Sequence, residues 1–384
     1  MPRRLIQQID VGLLVCVFVL TGMGLVIIAS VTAHMVPGAT FYYAKRQLIY
    51  VLIGLVAMGV AALAVDYSWI LEHWKFFYGL GVVLLALVLV HGHSALGARR
   101  WIQVGPFPLQ PSEFAKLSVA VALAGYLSQR RAPVGRLRDI LPVVALVVVP
   151  ALLVMKQPDL GTALVFFAIM AGVLYMAGIS GVKLVLGYGA VLAVAVVLIA
   201  LYVTGHLPFR LPFHGYQIKR LIVFVNPSID PLRSGYNIIQ SKIAIGSGGV
   251  WGHGLFRNWD QLSFLPAAST DFIFAVVGLE TGFVGGVALL LAYLVFLWRA
   301  VRITAAARDL PGAMLSAGLV SMLAFHILVN AGMAMGIMPV VGVPLPFVSQ
   351  GGSSLITNLI AVGLLLNVRA HPRLPAVMPP VLES

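Results

Sequence analysis

The sequence predicts an all-α polytopic membrane protein of about ten transmembrane helices, with a long extracytoplasmic loop between the seventh and eighth. Composition is the first reason: of the 384 residues, 60% are hydrophobic and 10% are charged, whereas soluble domains carry about 25% charged residues. The second reason is the interval 310–368, which contains no Asp, Glu, Lys or Arg, although about 20 apolar residues suffice to cross a bilayer. The third reason is that such apolar runs recur along the whole chain, separated by short polar segments.

The apolar runs define the predicted spans, which are about 11–30, 47–65, 76–91, 113–128, 140–155, 160–178, 184–204, 272–298, 312–336 and 353–368. Lys and Arg in the short connections concentrate on the side of the N-terminus, which predicts that both termini are cytoplasmic. The connection 205–271 is too long to be a simple turn and is predicted to lie on the other side. No soluble domain is evident, so residues 1–384 are predicted to form a single integral membrane domain.

The net charge of +13 does not indicate a nucleic-acid partner, because the basic residues are scattered between the spans rather than gathered on one face. The single cysteine, Cys16, excludes an intramolecular disulfide. Lys45 and Arg46 precede the second span and are predicted to reach lipid phosphates.

The first outer segment is RRWIQVGPFPLQPSEFAKL, residues 99–117. Its prolines and glycine prevent a helix before Gln110. Glu113 and Lys116 are three residues apart and share a helical face. Two interpretations are open: an intrahelical ion pair that stabilises the fourth span, or a phosphate site in which Arg100 and Lys116 bind while Glu113 orients Lys116.

The second outer segment is KQPDLGTA, residues 156–163. Asp159 precedes an apolar run, and a helix cap is a more common role for such an acid than catalysis. Lys156 is either its counter-ion or a second phosphate ligand.

The long connection contains YQIKR, residues 216–220, which places Gln217 and Arg220 on the outer side. Residues 236–245 have helical apolar spacing and are predicted to lie along the membrane surface. The glycines that follow, Gly246, Gly248 and Gly249, permit close approach of a ligand or a helix. They do not form a nucleotide P-loop, because no Lys-Ser/Thr follows them.

The segment MPVVGVPLPFVSQGGSS, residues 338–354, interrupts the charge-free interval with three prolines. Irregular backbone at membrane depth persists only where it is buried in protein or lines a wet cavity. Ser349, Gln350 and Gly351 suit a polar ligand at the start of the last span, although the two glycines are also compatible with a plain, tight helix entry.

Asp271 stands directly before the apolar run of the eighth span, in the stretch STDFIFAVVGLETG. It is the N-cap of that helix, a general base at the outer membrane surface, or both. From the residues alone, the cap is the more common role. Glu280 lies about 180° round the helix from Asp271 and is predicted to be a packing or coupling group.

These segments together resemble the SEDS family (shape, elongation, division and sporulation), the membrane glycosyltransferases of bacterial cell-wall synthesis. The resemblance covers nearly the whole chain and includes RWIQVGPFPLQPSEFAK, KQPDLGT, NPSIDPLRSGYNIIQS, AIGSGG, TDFIFA and NAGMAMGIMPVVGVPLPFVSQGGSS in the family's order. The form VVGVPLP is similar to the rod-elongation branch, RodA, rather than to the division branch, FtsW.

The resemblance implies a multi-pass enzyme of the bacterial cytoplasmic (inner) membrane that polymerises lipid II, a disaccharide-pentapeptide on undecaprenyl pyrophosphate, at the outer face. It implies a class B penicillin-binding protein of the elongation machinery as the partner. Asp271 matches the family's catalytic carboxylate, and Arg100, Glu113, Lys116 and Gln217 match residues of its cavity. Two departures stand out: Pro266-Ala267-Ala268-Ser269 replaces the family's common Pro-Glu-x-His, and Gln350 stands where Tyr is frequent.

The chemistry of chain growth agrees with one acid and several cations. A sugar hydroxyl attacks the donor's anomeric carbon with inversion, so one general base suffices and cations stabilise the leaving pyrophosphate. Arg100, Lys116, Lys156 and Arg220 are the candidate cations, and a divalent cation (Mg²⁺ or Mn²⁺) stays open as a cofactor. A lipid II flippase and a non-catalytic scaffold for the penicillin-binding protein are the alternatives. The candidate site is Asp271 as catalytic residue with Arg100, Gln110, Glu113, Lys116, Lys156, Asp159, Gln217, Arg220, Ser349, Gln350 and Gly351 as substrate-binding residues.

Overall fold

A computed structural model describes residues 10–33, 40–95, 98–105, 107–130, 137–204, 220, 223–224, 229–230, 235–257 and 264–370. Of the 67 residues of the long connection, 31 therefore lie outside the described residues, and Gln217 is one of them.

The described chain is a bundle of helices with one small sheet. The helices are α1 (Val11–Thr32), α2 (Tyr42–Leu63), α3 (Tyr67–Glu72), α4 (Trp74–His91), α5 (Pro111–Ser128), α6 (Leu137–Met155), α7 (Leu160–Met176), α8 (Gly181–Val203), α9 (Tyr236–Ser247), α10 (Ile273–Ala305), α11 (Leu310–Ala334) and α12 (Gly352–Ala370). The strands are β1 (His93–Ala95), β2 (Ala98–Val104) and β3 (Phe107–Leu109).

All ten predicted spans are helical, and the polytopic helical fold is confirmed. Among the described residues, eight helices are long and apolar enough to cross a membrane. The other two predicted spans are α5 and α7. Helix α7 has only 17 residues, and α5 carries a buried Glu113–Lys116 pair that lowers its apolar content.

The interior of the bundle is formed mainly by α5, α11 and α12. In the most apolar stretches of α11 and α12, 78% and 72% of the residues are buried, and in α5 14 of the 18 residues are buried. Helix α12 packs along α2, and α11 packs along α7. These two buried helices also carry the polar residues that support the cavity described below.

The segment between α4 and α5 forms an antiparallel sheet in the order β1-β2-β3. Ile102 is paired with Leu109, and Val104 with Phe107, around the turn at Gly105. The sequence predicted only that no helix forms before Gln110, and the strands were not predicted because the prolines that prevent a helix also weaken the strand signal. The sheet places Arg100 and Trp101 over the start of α5.

Helix α9 begins where the sequence predicted a surface helix, and it packs against α10 and α11. Its neighbour Gly248 is pressed on α10: a Cβ there would lie 2.0 Å from the carbonyl oxygen of Gly278. This contact is the close helix approach that the glycine cluster predicted.

Helix α10 is broken at Gly282, whose φ and ψ are 67° and −164°. Residues 249–254 fill the break. The amides of His253 and Gly254 donate to the carbonyls of Leu279 and Glu280. On the far side of the break, the amides of Phe283 and Val284 donate to the carbonyls of Gly249 and Val250. The loop therefore completes the backbone hydrogen bonding that a membrane helix requires.

Glu280 lies beside this break and is 2% exposed. Its Oε1 accepts from the Ser30 hydroxyl of α1, and the same hydroxyl accepts from the Phe256 amide. Glu280 thus joins α10, α1 and the inserted loop, in agreement with the predicted coupling role inside the bundle.

Candidate functional site

A polar cavity of about 450 Å³ opens where the starts of α5, α7, α10 and α12 meet. It is lined by Tyr43, Arg46, Gln47, Tyr50, Arg100, Trp101, Pro108, Gln110, Glu113, Asp159, Thr162, Arg220, Ala267, Thr270, Asp271, Val341, Gly342, Pro344, Gln350, Gly351, Gly352, Ser353 and Ser354. Eight of the residues proposed from the sequence are in this lining: Arg100, Gln110, Glu113, Asp159, Arg220, Asp271, Gln350 and Gly351.

Asp271 sits in the turn that enters α10. The amides of Thr270 and Phe272 both donate to the Ala267 carbonyl, which closes the turn. The N-cap residue of α10 is Phe272, and the helix has no side-chain cap hydrogen bond. Asp271 therefore does not act as the cap, and its carboxylate faces the cavity instead.

Two neighbouring elements hold this turn by its backbone. Asn330 of α11 donates from Nδ2 to the carbonyls of Asp271 (2.9 Å) and Val343 (2.8 Å). The Ser349 hydroxyl donates to the Thr270 carbonyl at 2.6 Å. Because these bonds use main-chain oxygens, they fix the position of Asp271 and leave its carboxylate oxygens to the cavity.

Gly342 faces the carboxylate from the opposite wall. A Cβ on Gly342 would lie 3.3 Å from Asp271 Oδ2, and its φ of +74° disfavours any other residue. The glycine keeps open the space in front of the Asp271 carboxylate.

Burial among protein atoms raises the pKa of Asp271 to about 6. The positive charges of Arg220 and Arg100 oppose this rise, and the negative charge of Asp159 adds to it. A carboxylate in this range is largely ionised at neutral pH and is a stronger base than an ordinary aspartate.

Three arginines line the cavity around Asp271. Arg100 donates from Nε to the Gln157 carbonyl at 2.9 Å and from Nη2 to the Pro158 carbonyl. Arg220 donates to the Val340 carbonyl at 3.2 Å, and Arg46 donates to the Tyr50 hydroxyl at 3.3 Å. The two carbonyl acceptors of Arg100 are neutral, so they hold its side chain in place without cancelling its charge.

Glu113 and Lys116 form the predicted ion pair, with Nζ 2.8 Å from Oε2. Glu113 reaches the cavity, whereas Lys116 is 1% exposed and lies behind it. Lys116 Nζ is also 3.2 Å from Nε2 of His326 on α11. The structure thus places Lys116 where it orients Glu113, and not in the lining itself.

The remaining candidates fall in different places. Asp159 accepts from the Thr162 amide at 3.1 Å, so it caps α7 while lining the cavity. Ser349 is buried under the turn of Asp271. Lys156 is exposed and is not among the lining residues.

Within the described residues, no group of three or more His, Cys, Asp or Glu side chains is arranged to hold a metal ion. Glu113 pairs with Lys116, and Asp159 caps α7. Asp271 is thus the lining carboxylate that neither a helix cap nor an ion pair occupies in the part of the chain described here. One carboxylate with substrate phosphates is a donor set that Mg²⁺ accepts, so Asp271 is the residue that would hold such an ion.

Three supporting residues were not proposed from the sequence. Arg46, assigned there to lipid, lines the cavity, whereas its neighbour Lys45 is exposed. Asn330 and His326 lie inside an apolar helix and reach the site through hydrogen bonds, Asn330 to the Asp271 carbonyl and His326 to Lys116. The sequence could have indicated them, because polar residues are rare inside membrane spans and these two lie one helical turn apart in a mostly apolar span.

The chain is similar to known proteins over almost its whole length. A model of the cell cycle protein family that includes FtsW, RodA and SpoVE matches residues 11–374. Stage V sporulation protein E of Bacillus subtilis is 38% identical over 371 residues, which cover 95% of this chain and 98% of that protein. The peptidoglycan glycosyltransferase MrdB of Escherichia coli is 38% identical over 327 residues, which cover 84% of this chain and 85% of that protein. A solved structure concerning the coordination of polymerization and crosslinking by a peptidoglycan synthase complex has a TM-score of 0.78 and 32% identity, covering 94% of this chain and 97% of that chain.

Proposed function

The chain belongs to the cell cycle protein family of FtsW, RodA and SpoVE, and we propose that it is a peptidoglycan glycosyltransferase that polymerises lipid II with Asp271 as general base. The name of the similar MrdB supports the activity. The observation that carries the mechanism is the cavity itself, in which Asp271 faces an open space bounded by Arg46, Arg100 and Arg220. VVGVPLP, residues 340–346, supports a role in cell elongation and rod shape.

The reaction joins two sugars and releases a diphosphate. The 4-hydroxyl oxygen of the acceptor sugar attacks the anomeric carbon of the donor, and its proton passes to the Asp271 carboxylate. The bond from that carbon to the phosphate oxygen breaks, so undecaprenyl pyrophosphate leaves with the electron pair. One base is enough for this single displacement, which inverts the anomeric centre.

Arginines at the cavity wall are suited to the leaving group. Charge grows on the diphosphate as the glycosidic bond breaks, and preorganised cations in a site shielded from water stabilise that charge strongly. Arg100 is fixed by two carbonyl oxygens of the turn before α7. Arg220 adds a charge from the long connection. We assign the diphosphate to this pair and the acceptor hydroxyl to the side of Gly342.

The protein is a multi-pass membrane protein, and the site belongs at the outer surface of the bacterial cytoplasmic membrane, with both termini in the cytoplasm. The excess of Lys and Arg on the side of the N-terminus supports this orientation. The similar synthase-complex structure supports a class B penicillin-binding protein as the partner. The whole chain then acts as one membrane domain, with 205–271 as its extracytoplasmic loop.

The test is synthesis of glycan strands from lipid II by purified protein in lipid nanodiscs, with and without the partner. We expect Asp271→Asn to lower the rate by about 10²- to 10⁴-fold, the usual contribution of a general base. Asp66→Asn is the matched control, because Asp66 is an exposed aspartate that caps α3 through the Ser68 amide. It should leave the rate unchanged.

The same preparations separate the alternatives. If Asp271→Asn makes strands at the wild-type rate while folded and bound to its partner, the catalytic assignment is wrong. A flippase would move lipid II across liposomes even as a variant that makes no glycan. A scaffold would support strand synthesis only when another polymerase is added.

A further inference from the structure

A second pocket lies on the outer wall of the bundle between α4, α5 and α6. It occupies about 280 Å³ and is lined by Trp74, Tyr78, Tyr126, Pro142, Ala145, Leu146 and Val149. Glu113 at the start of α5 lines the cavity, whereas Tyr126 near the end of the same helix lines this pocket. The two pockets are therefore at opposite ends of α5. We call the second one the aromatic groove.

The groove faces the hydrocarbon of the membrane. Apolar side chains of α4 and α6 are exposed, including Phe76 (64%), Leu141 (69%) and the groove residue Val149 (45%). In a membrane protein such side chains face lipid or another membrane-spanning helix. The depression is far too small for a transmembrane helix of about 10 Å diameter, but it suits a single acyl chain.

Tight packing forms the wall of the groove. A Cβ on Gly125 would lie 2.6 Å from the Cβ of Trp74, so only glycine lets the tryptophan sit this close to α5. The Trp74 and Tyr126 rings meet edge to face at 6.0 Å. Trp74 is 8% exposed, and its indole Nε1 is buried without a hydrogen-bond partner in the described residues. A buried hydrogen-bond donor without an acceptor lowers the stability of the folded protein.

Cations lie over the same two rings. Lys75 Nζ is 5.8 Å from the centre of the Trp74 ring, and Arg130 Cζ is 6.0 Å from that of Tyr126. Arg130 also pairs with Asp139 at 2.7 Å, whereas Lys75 is exposed. Arg138 adds another exposed cation in the first turn of α6. Among these four charged residues, Lys75, Arg130 and Arg138 are positive and Asp139 is negative, so together they give this end of the groove a net positive charge.

From this combination we infer that the aromatic groove binds an anionic glycerophospholipid. One acyl chain lies against Tyr78, Leu146 and Val149, and the phosphate group lies at Lys75 and Arg130. Basic pockets between transmembrane helices recognise acidic lipid headgroups through this chemistry. A zwitterionic lipid offers the same chains without the net charge, so the cations make the site selective.

The experiment uses the full-length protein in phosphatidylcholine nanodiscs that contain a small fraction of phosphatidylglycerol with a photoreactive diazirine in its acyl chain. After irradiation, labelled peptides are mapped by mass spectrometry. We expect labelling to concentrate on residues of α4, α5 and α6 that line the groove. Unlabelled phosphatidylglycerol should compete, and phosphatidylcholine should not.

Three variants complete the test. Lys75→Gln should lower labelling about fivefold, the factor for one basic residue near a membrane surface. Ala145→Leu fills the groove and should lower labelling while keeping the charges. Arg302→Gln is the matched control, since Arg302 lies 5.0 Å from the Trp298 ring, outside the groove. Unaltered glycan synthesis and gel-filtration profile show that each variant is folded. Labelling spread evenly over all lipid-facing helices, equal competition by phosphatidylcholine, or equal loss in Arg302→Gln would overturn the inference.

Discussion

Replacing Gly282 by alanine tests whether the break in α10 is built into the fold. Its φ of 67° and ψ of −164° belong to a region that only glycine adopts readily, and other residues there cost about 1–3 kcal/mol. The added Cβ would also lie 2.4 Å from the Gly252 nitrogen and 2.5 Å from the Val250 oxygen. Both are backbone atoms, so the inserted loop must move.

Movement of the loop weakens hydrogen bonds across the break. Four backbone bonds join residues 249–254 to α10, at 2.9 to 3.2 Å, and each contributes about 0.5–1.5 kcal/mol. With the strain and the loss of one or two of these bonds, Gly282→Ala should destabilise the protein by about 2–5 kcal/mol. The assay is thermal unfolding of the detergent-solubilised protein, followed by strand synthesis. We expect a lower midpoint and a lower rate, because the first half of α10 follows directly on Asp271.

Gly286→Ala is the matched control, one turn further along α10. Its nearest foreign atom would be the Cζ of Phe274, at the ordinary contact distance of 4.0 Å. Removing a glycine from a helix interior stabilises by about 0.5–1 kcal/mol, so the midpoint should stay or rise. If the two variants shift the midpoint of unfolding by the same amount and in the same direction, the break in α10 does not require glycine at position 282.

Three further predictions concern the cavity. Since the pKa of Asp271 is raised to about 6, its carboxylate is protonated below that pH, and the rate of strand synthesis should fall below pH 6 and level off above it. Arg220→Gln removes a positive charge that lowers this pKa, so in this variant the rate should begin to fall at a higher pH. If the pH–rate profiles of wild type and Arg220→Gln fall at the same pH, Arg220 does not lower the pKa of Asp271. Asn330→Leu removes the hydrogen-bond donor to the Asp271 carbonyl. It should lower kcat at least about tenfold with little change in KM, because it displaces Asp271 and not the lipid substrate. A change in KM alone would argue against this role of Asn330. His326→Leu leaves Lys116 without one of its two buried partners and should cost about 1–3 kcal/mol in thermal unfolding, whereas His326→Gln, which keeps an acceptor, should recover most of that loss.

The spans were predictable because membrane helices are specified by local composition. Long apolar runs fix their number and approximate bounds without reference to tertiary contacts. The break in α10 was not predictable, because the sequence around Gly282 predicts a continuous helix. What breaks the helix there is a loop more than twenty residues earlier in the chain, and only folding brings the two together.

The site was predictable where polar residues stand at helix starts. Asp271, Glu113 and Asp159 each precede or open an apolar run, and chain topology brings such starts to one membrane face. The sequence did not separate Arg46 from Lys45, because adjacent residues at a helix start differ in direction by about 100°, and only packing decides which faces inward. Lys156 precedes Asp159 by three residues in the turn between α6 and α7, where the sequence does not specify direction, and it is exposed and outside the cavity lining.

Helix α11 has a consequence for how the site is regulated. His326 and Asn330 are four residues apart and therefore lie on one face. One contacts Lys116 behind Glu113, and the other holds the backbone of Asp271. A single buried helix thus fixes the backbone of Asp271 relative to Glu113. Arg220, in contrast, belongs to the long connection, outside the spans.

If Asp271 is the base, as proposed, a partner that binds the long connection is expected to act through Arg220 and not by moving Asp271. Because Arg220 lowers the pKa of Asp271, drawing it closer moves the acid limb of the pH–rate profile downward, and drawing it away moves the limb upward. The profile of the wild type should therefore shift when the penicillin-binding protein is added, and that of Arg220→Gln should not. An equal shift in both proteins would mean that the partner acts on the base through α10 or α11 instead.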